Sequence, residues 1–342
     1  MKLPDCEFYL FGMGQRRKLL YKHGMLSDAL TGETIRKWDV ASESICPAEY
    51  SVKLEMPNGE RAVIREGERG LWVEENEDKG CLAESHIALP RFEGHPHASL
   101  LRSLHQEILI NIVDGKPVPN FSVYSKPWYR DAAMMCMCLE RTDNLHLVKE
   151  WICELEEPFD RNNAGNCEPD NLGQALYMLS LVSGASHPLV GTILQTIPQF
   201  RKGNHIVGIT DGAEHPVYQT KWLKFGLRCL GLDDLYEIPE VFDSYSALFW
   251  MDYTQAHVNG PHFTEKSKEL YPYLGWAEAH FHHWMPKVTL GEHQYPLTWE
   301  AHASQADYNG MALVSQQYVE RRICAPHAWH AAEMFLYFLN SP

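Results

Sequence analysis

The feature that most constrains the fold is a set of short polar clusters, several of which come directly before an apolar helix-like segment. The clusters, rich in Trp, Arg, His, Asp and Glu, are residues 127–131, 168–171, 211–214, 299–302 and 326–330. Runs that are apolar on nearly every side follow three of them, at 132–139, 175–182 and 331–339. A helix that is hydrophobic all round is buried all round. Buried helices with polar groups at the same end predict a ring of inner helices with one shared mouth, where we expect the active site.

The charge of the chain restricts its partners. The 342 residues carry a formal net charge of −15, and the longest basic run is 16–18. An acidic surface without a basic stripe argues against nucleic acid and against anionic membranes. We therefore expect neither as a partner.

The N-terminus and the cysteines predict a cytoplasmic protein. Asp5 and Glu7 lie where a signal peptide would need an apolar stretch. The sequence also lacks an apolar run of about 18 residues, so no segment is expected to span a membrane. Cys136 and Cys138 lie within an apolar run and are expected to be reduced core residues, and the cysteine spacings match no zinc pattern.

The hydrophobic period divides the chain into two parts. Residues 1–92 contain short β-rich pieces punctuated by Gly, Asn and Asp, and residues 57–60 are typical of a hairpin turn between two alternating strands. From about residue 97 the period becomes helical. We therefore expect a small, mainly β N-terminal module at 1–92 and a helical catalytic domain at 97–342.

The helical part alternates between segments that are apolar all round and segments with one apolar stripe. Two concentric helical layers explain this alternation, so the sequence predicts a mainly α fold, an (α/α)6-type toroid preceded by the β module. The inner helices would then run parallel with their N-termini at one end. Unpaired N–H groups and positive dipole ends gather there and favour carboxylates and polar ligands.

One segment resembles a known family. The sequence Trp128-Tyr129-Arg130-Asp131 is similar to the start of the second helix in six-hairpin glycosidases, most closely the glucoamylase-type inverting enzymes. The resemblance covers about 97–342 and implies that Arg130 and Asp131 hold the sugar, with Trp128 and Tyr129 beside it. An Asp accepts from two sugar hydroxyls while an Arg donates in a fixed fork. The alternative is that the Arg–Asp pair only caps the helix.

The same resemblance implies a pair of catalytic carboxylates. The family's general acid precedes its sixth helix, where Glu214 lies, and its general base precedes the eleventh, where Glu300 lies. Glycoside hydrolysis needs one carboxyl group protonated for the leaving oxygen and one ionised to activate water. Glu168 is a rival for the acid, in a pair with Asp170.

Further polar residues near predicted helix starts are candidates for binding the sugar. They are Asp170, Asn171, Gln174, His302, His327, Trp329 and His330. Asp170 is also a candidate N-cap, and the amides of Asn171 and Gln174 are equally suited to tying loops. His280, His282 and His283 have no accompanying Glu ligand pattern, so we expect a hydrogen-bonding cluster there, with no metal and no cofactor.

These observations predict a metal-independent glycoside hydrolase. Its substrate would be a small carbohydrate, a short soluble saccharide or glycoside, cleaved with inversion. The main alternative is a sugar epimerase or isomerase of the N-acylglucosamine 2-epimerase type, in which histidines near the mouth act as acid and base. A non-catalytic sugar-binding protein is the third hypothesis, because a fold alone does not establish catalysis. Hydrolysis releases a new reducing end, whereas isomerisation conserves the number of molecules.

Overall fold

The protein has a mixed architecture. The computed structural model describes residues 7–76, 78–124, 126–241, 243, 245, 264–270, 275, 279, 284–285, 295–303 and 305–340. It is 38% helix and 22% strand, with nine antiparallel strands in two sheets at the N-terminal end. The prediction of a mainly α, (α/α)6-type toroid is therefore wrong.

The first sheet is a four-stranded antiparallel meander in sequence order. Its strands are β1 (Phe8–Phe11), β2 (Leu19–Lys22), β3 (Met25–Asp28) and β4 (Thr34–Lys37). The two-residue turn at His23 and Gly24 has φ of 45° and 72°. A Cβ atom at Gly24 would lie 2.7 Å from the carbonyl oxygen of Trp38, so both the backbone angle and the close approach require glycine there.

The second sheet has five antiparallel strands, also in sequence order. They are β5 (Ser42–Cys46), β6 (Ser51–Glu55), β7 (Arg61–Gly67), β8 (Gly70–Glu75) and β9 (Asp78–Glu84). Strand β7 alternates, with Ala62, Ile64 and Glu66 buried. The buried Glu66 carboxylate accepts from the N–H groups of Gly12 and Met13, which ties this sheet to the segment that follows β1.

Helices dominate the rest of the described chain, interrupted by short two-stranded ladders. The helices are α1 (Ala98–Leu109), α2 (Tyr129–Arg141), α3 (Lys149–Cys153), α4 (Asp170–Val182), α5 (Pro188–Thr196), α6 (Pro216–Cys229), α7 (Glu265–Leu270), α8 (Gln316–Arg321) and α9 (Ala328–Leu339). The strands are β10 (Ile112–Val113), β11 (Lys116–Pro117), β12 (Arg201–Lys202), β13 (His205–Ile206), β14 (Ile209–Thr210), β15 (Ala213–Glu214), β16 (Glu300–Ala301) and β17 (Ile323–Cys324). Consecutive strands pair as β10–β11, β12–β13, β14–β15 and β16–β17.

The buried helices pack side by side. Helix α2 contacts α4 and α9, α4 contacts α6, and α9 contacts α1. Helices α4 and α6 cross where each has a glycine: a Cβ at Gly173 would lie 2.1 Å from the backbone of Trp222, and one at Gly226 would lie 2.5 Å from the Gly173 oxygen. Only glycine allows this close backbone approach. The packing brings the start of α2 close to the start of α4 and the start of α9.

The toroid prediction failed because one-sided apolar stripes are not specific to α-helix. The stripe at 145–155 forms a 3-10 turn (Leu145–Leu147) followed by the five-residue α3. Residues 201–214 form two hairpins, whose turns contain Gly203 and Gly212 with φ of 64° and 81°. A stripe states only which side faces the core, and a short turn satisfies it as well as a helix does.

The helical period after residue 97 also predicts helices at 244–253, 274–283 and 304–318. The first two fall mostly outside the described residues, and His280, His282 and His283 fall wholly outside them. The third is instead a 3-10 helix (Tyr308–Leu313) followed by α8. None of the helices in the described residues combines the length and apolarity needed to cross a bilayer.

Candidate active site

Arg130 is the centre of a buried ionic cluster at the N-terminal end of α2. Its guanidinium lies 2.7 Å from Glu168 Oε2, 3.4 Å from Asp170 Oδ2 and 2.5 Å from Asp211 Oδ2. It also donates a hydrogen bond to the hydroxyl of Tyr245. The Arg130 side chain is only 3% exposed, so the three carboxylates compensate a charge that water cannot reach.

The hairpin β14–β15 is held against this cluster by hydrogen bonds from its turn. Asp211, at φ of 50°, donates its N–H to Glu168 Oε1 at 2.7 Å, and Thr210 donates its hydroxyl to Asp170 Oδ1 at 2.8 Å. Asn163 donates to both Glu168 and Asp211, at 3.0 and 2.7 Å. Both oxygens of Glu168 are thus occupied. Asp211 keeps a side chain that is 35% exposed, so it is the member of the cluster that faces the opening.

Three predicted sugar-binding residues of α4 are used inside the protein instead. Gln174 donates to Asp170 Oδ2 at 2.9 Å and to the Tyr218 hydroxyl at 3.1 Å, and its oxygen accepts from Asn171 at 3.0 Å. Asp170, Asn171 and Gln174 are each at most 1% exposed. Asp170 makes no N-cap bond, since Pro169 occupies that position without a side-chain cap. This network fixes the end of α4 that holds Arg130.

A residue outside the Arg–Asp pair accepts from the first N–H group of α2. The N–H of Tyr129, the first residue of α2, donates to Asp160 Oδ2 at 2.6 Å, and the Tyr129 hydroxyl donates to the carbonyl of Glu157 at 2.8 Å. Asp160 therefore supplies the side-chain acceptor at this helix terminus that the Arg–Asp pair was alternatively expected to supply. Tyr129 is a buried structural residue, and Asp131 is left for another purpose.

Asp131 belongs to a second cluster, which includes His327 and Glu300. His327 Nε2 lies 2.8 Å from Glu300 Oε2 and 3.9 Å from Asp131 Oδ1. Tyr124 donates its hydroxyl to the same Glu300 Oε2 at 2.7 Å. Glu300 and His327 meet because β16 pairs with β17, with Glu300 opposite Cys324, and α9 begins directly after this ladder.

The two carboxylates of this cluster have opposite electrostatic environments. Burial raises the pKa of Asp131 to about 7, although the charges of His327 and Arg130 oppose that shift. Burial would also raise the pKa of Glu300, but the charge and hydrogen bond of His327 outweigh it and lower that pKa to about 2. Asp131 Oδ1 has no hydrogen-bond partner within the described residues. Near neutral pH, one carboxyl group is therefore partly protonated and the other is fully ionised.

The two histidines of α9 also differ. Burial lowers the pKa of His327. The charge and hydrogen bond of Glu300, together with the charge of Asp131, raise it, and the net shift of this pKa is upward. Burial and the neighbouring His327 lower the pKa of His330 to about 3. The two rings lie 4.6 Å apart, and His330 Nδ1 donates to the carbonyl of Trp299 at 2.9 Å. The structure thus places an imidazole whose pKa is raised beside one whose pKa is lowered.

Trp329, two residues after His327, packs against the Arg130 cluster. The Arg130 guanidinium lies 5.5 Å from the centroid of the Trp329 ring, and the Tyr245 ring lies 5.3 Å from it. Trp329 is half-buried, and its indole N–H has no hydrogen-bond partner within the described residues. A partly open indole with a free donor suits an aromatic platform for a sugar ring.

Two predicted site residues are not in contact with either cluster. Glu214 is exposed at the end of β15, where its backbone pairs with Ile209. His302 is exposed, with φ of 61°, and its N–H donates to the carbonyl of Arg322. An exposed Glu214 lacks the desolvation that a general acid needs to keep its proton.

Three residues of the site were not among the predicted site residues: Tyr124, Asp211 and Tyr245. Asp211 carries a recognisable signal, because Asp-Gly is a preferred pair for a hairpin turn. Tyr124 and Tyr245 contact the site only through the tertiary fold. No group of three or more His, Cys, Asp or Glu side chains in the described part of the chain is arranged to hold a metal ion.

Comparisons of the chain with protein-family models, with curated proteins and with solved structures give no significant match.

Proposed function

We propose that the protein is a glycoside hydrolase in which Asp131 is the general acid and Glu300 the general base. The observation that carries the proposal is the Asp131–His327–Glu300 cluster. A shared histidine and unequal burial push the pKa values of the two carboxyl groups to about 7 and about 2. Environments that separate the pKa values of two carboxyl groups are typical of acid and base pairs in glycosidases.

The contacts of Glu300 support its role as the base. Tyr124 and His327 both contact Oε2, which leaves Oε1 to accept a proton from water. The Glu300 side chain is 24% exposed, so water reaches it. Asp131, 3% exposed, donates its proton to the leaving oxygen as the bond from that oxygen to the anomeric carbon breaks. The water oxygen forms the new bond to the anomeric carbon and gives one proton to Glu300.

The separation of the pair bears on stereochemistry. Asp131 Oδ1 and Glu300 Oε2 can be no farther apart than their two distances to His327, 3.9 and 2.8 Å, added together. Inverting pairs stand about 6.5–9.5 Å apart and retaining pairs about 5–5.5 Å. This upper limit admits the retaining separation as well as the lower edge of the inverting range. Inversion remains our proposal, and proton NMR of the first-formed anomer tests it.

The Arg130 cluster supports a binding role beside the catalytic pair. Arg130 is neutralised within the protein and orients Glu168 and Asp211. Both carboxylates are hydrogen-bonded inside the cluster, but Asp211 is 35% exposed and Glu168 only 4%, so Asp211 is the one that can accept a further bond from a sugar hydroxyl. Trp329 supplies the apolar platform. This proposal replaces Glu214 and Glu168 as acid, because Glu214 is exposed and both oxygens of Glu168 are already bonded.

A sugar epimerase is the second candidate, and the histidine pair favours it. The pKa of His327 is shifted upward and that of His330 downward, and their ring centroids are 4.6 Å apart, which suits an acid and a base for proton transfer. His330 Nδ1 donates to a carbonyl, which places its lone pair on Nε2. In the hydrolase, by contrast, His327 acts only through Glu300 and Asp131.

A panel of aryl glycosides and disaccharides tests the two candidates. For the hydrolase we expect release of a new reducing end, with losses of about 10²- to 10⁴-fold in kcat for Asp131→Asn and Glu300→Gln. Glu214→Gln is the matched control and should keep wild-type turnover. If Glu300→Gln retains activity while His330→Gln abolishes interconversion of free monosaccharides, the epimerase is correct and the hydrolase is not.

A further inference from the structure

A cavity of about 480 Å³ opens beside the proposed catalytic pair, Asp131 and Glu300. Its lining includes Tyr124, Lys126, Trp128, Arg161, Gln305 and Asp307. This volume lies within the range of about 300–1,000 Å³ that is typical of small-molecule sites.

We propose that this cavity is the leaving-group subsite and that it takes a sugar residue carrying a carboxylate, a uronate. The assignment of this cavity as a leaving-group subsite rests on the proposed hydrolase. The binding of an acidic sugar rests on the cavity itself. Location, shape and charge each support it.

The location follows from two aromatic residues that belong to both the cavity and the site. The Tyr124 ring lines the cavity, and its hydroxyl holds Glu300 Oε2 at 2.7 Å. Trp128 lines the cavity three residues before Asp131, at the N-cap position of α2. A sugar bound there lies next to the bond that Asp131 and Glu300 would cleave.

The shape of the cavity suits a sugar ring. Tyr124 and Trp128 meet edge to face with centroids 5.4 Å apart and form an aromatic corner. Gln305 uses its amide nitrogen to bond Asn163 at 3.2 Å, which leaves its oxygen to accept from a hydroxyl. Apolar ring faces with a few fixed polar groups are what recognises a saccharide.

The charge of the cavity distinguishes an acidic sugar from a neutral one. Lys126 and Arg161 make no ion pair with any described residue, although the chain has 45 acidic residues against 30 basic ones. Asp307 is the one carboxylate in the described lining, and its Oδ1 accepts from the N–H of Asn309 at 3.1 Å to cap a 3-10 helix. The described lining thus carries two cations and one carboxylate, and that carboxylate is already hydrogen-bonded. The cavity is net positive although the protein as a whole is strongly acidic. A uronate carboxylate supplies the missing partner.

Calorimetric binding of four disaccharides tests the inference. The probes are maltose and cellobiose, and the same two disaccharides with glucuronate in place of the reducing-end glucose, titrated into Glu300→Gln to prevent turnover. We expect the glucuronate forms to bind about fivefold or more tightly at low salt, from two exposed ion pairs, with the preference shrinking as salt is added. In the background Glu300→Gln, the further changes Lys126→Gln and Arg161→Gln should abolish that preference.

A matched control separates local charge from net charge. Lys53→Gln with Arg61→Gln removes two exposed cations from the second sheet and should keep the preference. Equal binding of neutral and acidic disaccharides, or a preference that survives Lys126→Gln with Arg161→Gln, would overturn the inference. If the preference is present but the wild-type protein cleaves no glycoside, the inference stands and the hydrolase fails. If cleavage occurs at equal kcat/KM for both kinds of substrate, the hydrolase stands and the inference fails.

Discussion

At the scale of single residues, one imidazole determines the protonation of the whole site. His327 lies close to both Glu300 and Asp131, but it contacts Glu300 directly at 2.8 Å and Asp131 only at 3.9 Å. The nearer carboxylate is stabilised as an anion, whereas burial dominates at the farther one. A small difference in distance thus gives two identical chemical groups opposite roles.

The first prediction is a one-sided pH profile. Asp131 must be protonated to act as the acid, so kcat/KM should fall as pH rises through about 7, the pKa of that carboxyl group. Glu300 must be ionised, and its pKa of about 2 puts the acid limb far below neutrality. Initial rates from about three pH units below neutrality to about two above it, at constant ionic strength, measure the profile. An alkaline limb that persists unchanged in the residual activity of Asp131→Asn would contradict the assignment.

These residues could be predicted from the sequence, but their environments could not. Arg130 and Asp131 were proposed from the resemblance at 128–131, Glu300 from its place in the order of helices, and His327 from its place before an apolar run. The structure places all four in two neighbouring clusters. Protonation depends on burial and on distances of 3 to 4 Å between segments far apart in the chain, which periodicity does not encode. The same limit explains why Glu214 was proposed as the acid: its place in the order of helices matched, but its exposure was not visible.

At the scale of elements, α1 positions Glu300, the proposed base, without touching it. The Glu107 carboxylate, buried on α1, accepts from the N–H of Thr298 at 3.0 Å and from the N–H of Leu297 and the hydroxyl of Thr298. Those residues lead directly into β16 and Glu300. Glu107 is thus a positioning residue that fixes the backbone from which the base projects.

The second prediction follows from this contact. Glu107→Gln presents an amide N–H₂ to at least one of three donors, so a buried donor loses its acceptor at a cost of about 1–3 kcal/mol in the free energy of unfolding. Because the base moves, kcat should fall with little change in KM, and the alkaline limb set by Asp131 should remain. Urea unfolding and steady-state kinetics measure both effects. Lower stability with unchanged kcat would show that Glu107 is merely structural.

The third prediction concerns the crossing of α4 and α6. Gly173→Ala places a methyl group 2.1 Å from the Trp222 backbone, which cannot move as a side chain would. The helices must separate, so we expect about 3 kcal/mol or more of destabilisation. Gly191→Ala is the control, because Gly191 lies on α5 with nothing within 4 Å of its added Cβ, and alanine has the higher helix propensity. Equal melting temperatures for the two variants would contradict the close crossing.

Element boundaries were predictable where local signals were strong. The hairpin turn at 57–60 connects β6 to β7, and the all-round apolar runs lie in α2, α4 and α9. The outer helices of the supposed toroid were not predictable, since a one-sided stripe fits a 3-10 turn or a hairpin equally well. Tertiary contacts decide among these: Thr210 in β14, for example, bonds Asp170 on α4.

At the scale of the whole molecule, the two N-terminal sheets and the helices share one hydrophobic core. Gln106 on α1 donates to the carbonyl of Leu10 at 2.8 Å, and the N–H of Gly14 donates to the carbonyl of Leu109 at 2.9 Å. Phe8 packs edge to face against Tyr295, 5.8 Å between centroids. The first sheet therefore covers both α1 and the segment that leads to Glu300.

The last prediction is that the fragment 97–342 does not fold by itself. Without the first sheet, Leu10 and its neighbours no longer cover α1, and the buried amide of Gln106 loses its acceptor. We expect the fragment to lose near-ultraviolet circular dichroism and to bind an apolar dye, while the full chain unfolds in one transition because its core is continuous. Differential scanning calorimetry of the full chain and dichroism of the fragment measure this. Two separate transitions in the full chain, or a fragment that keeps its tertiary signal and hydrolyses glycosides, would show instead that the sheets form an independent module beside the site.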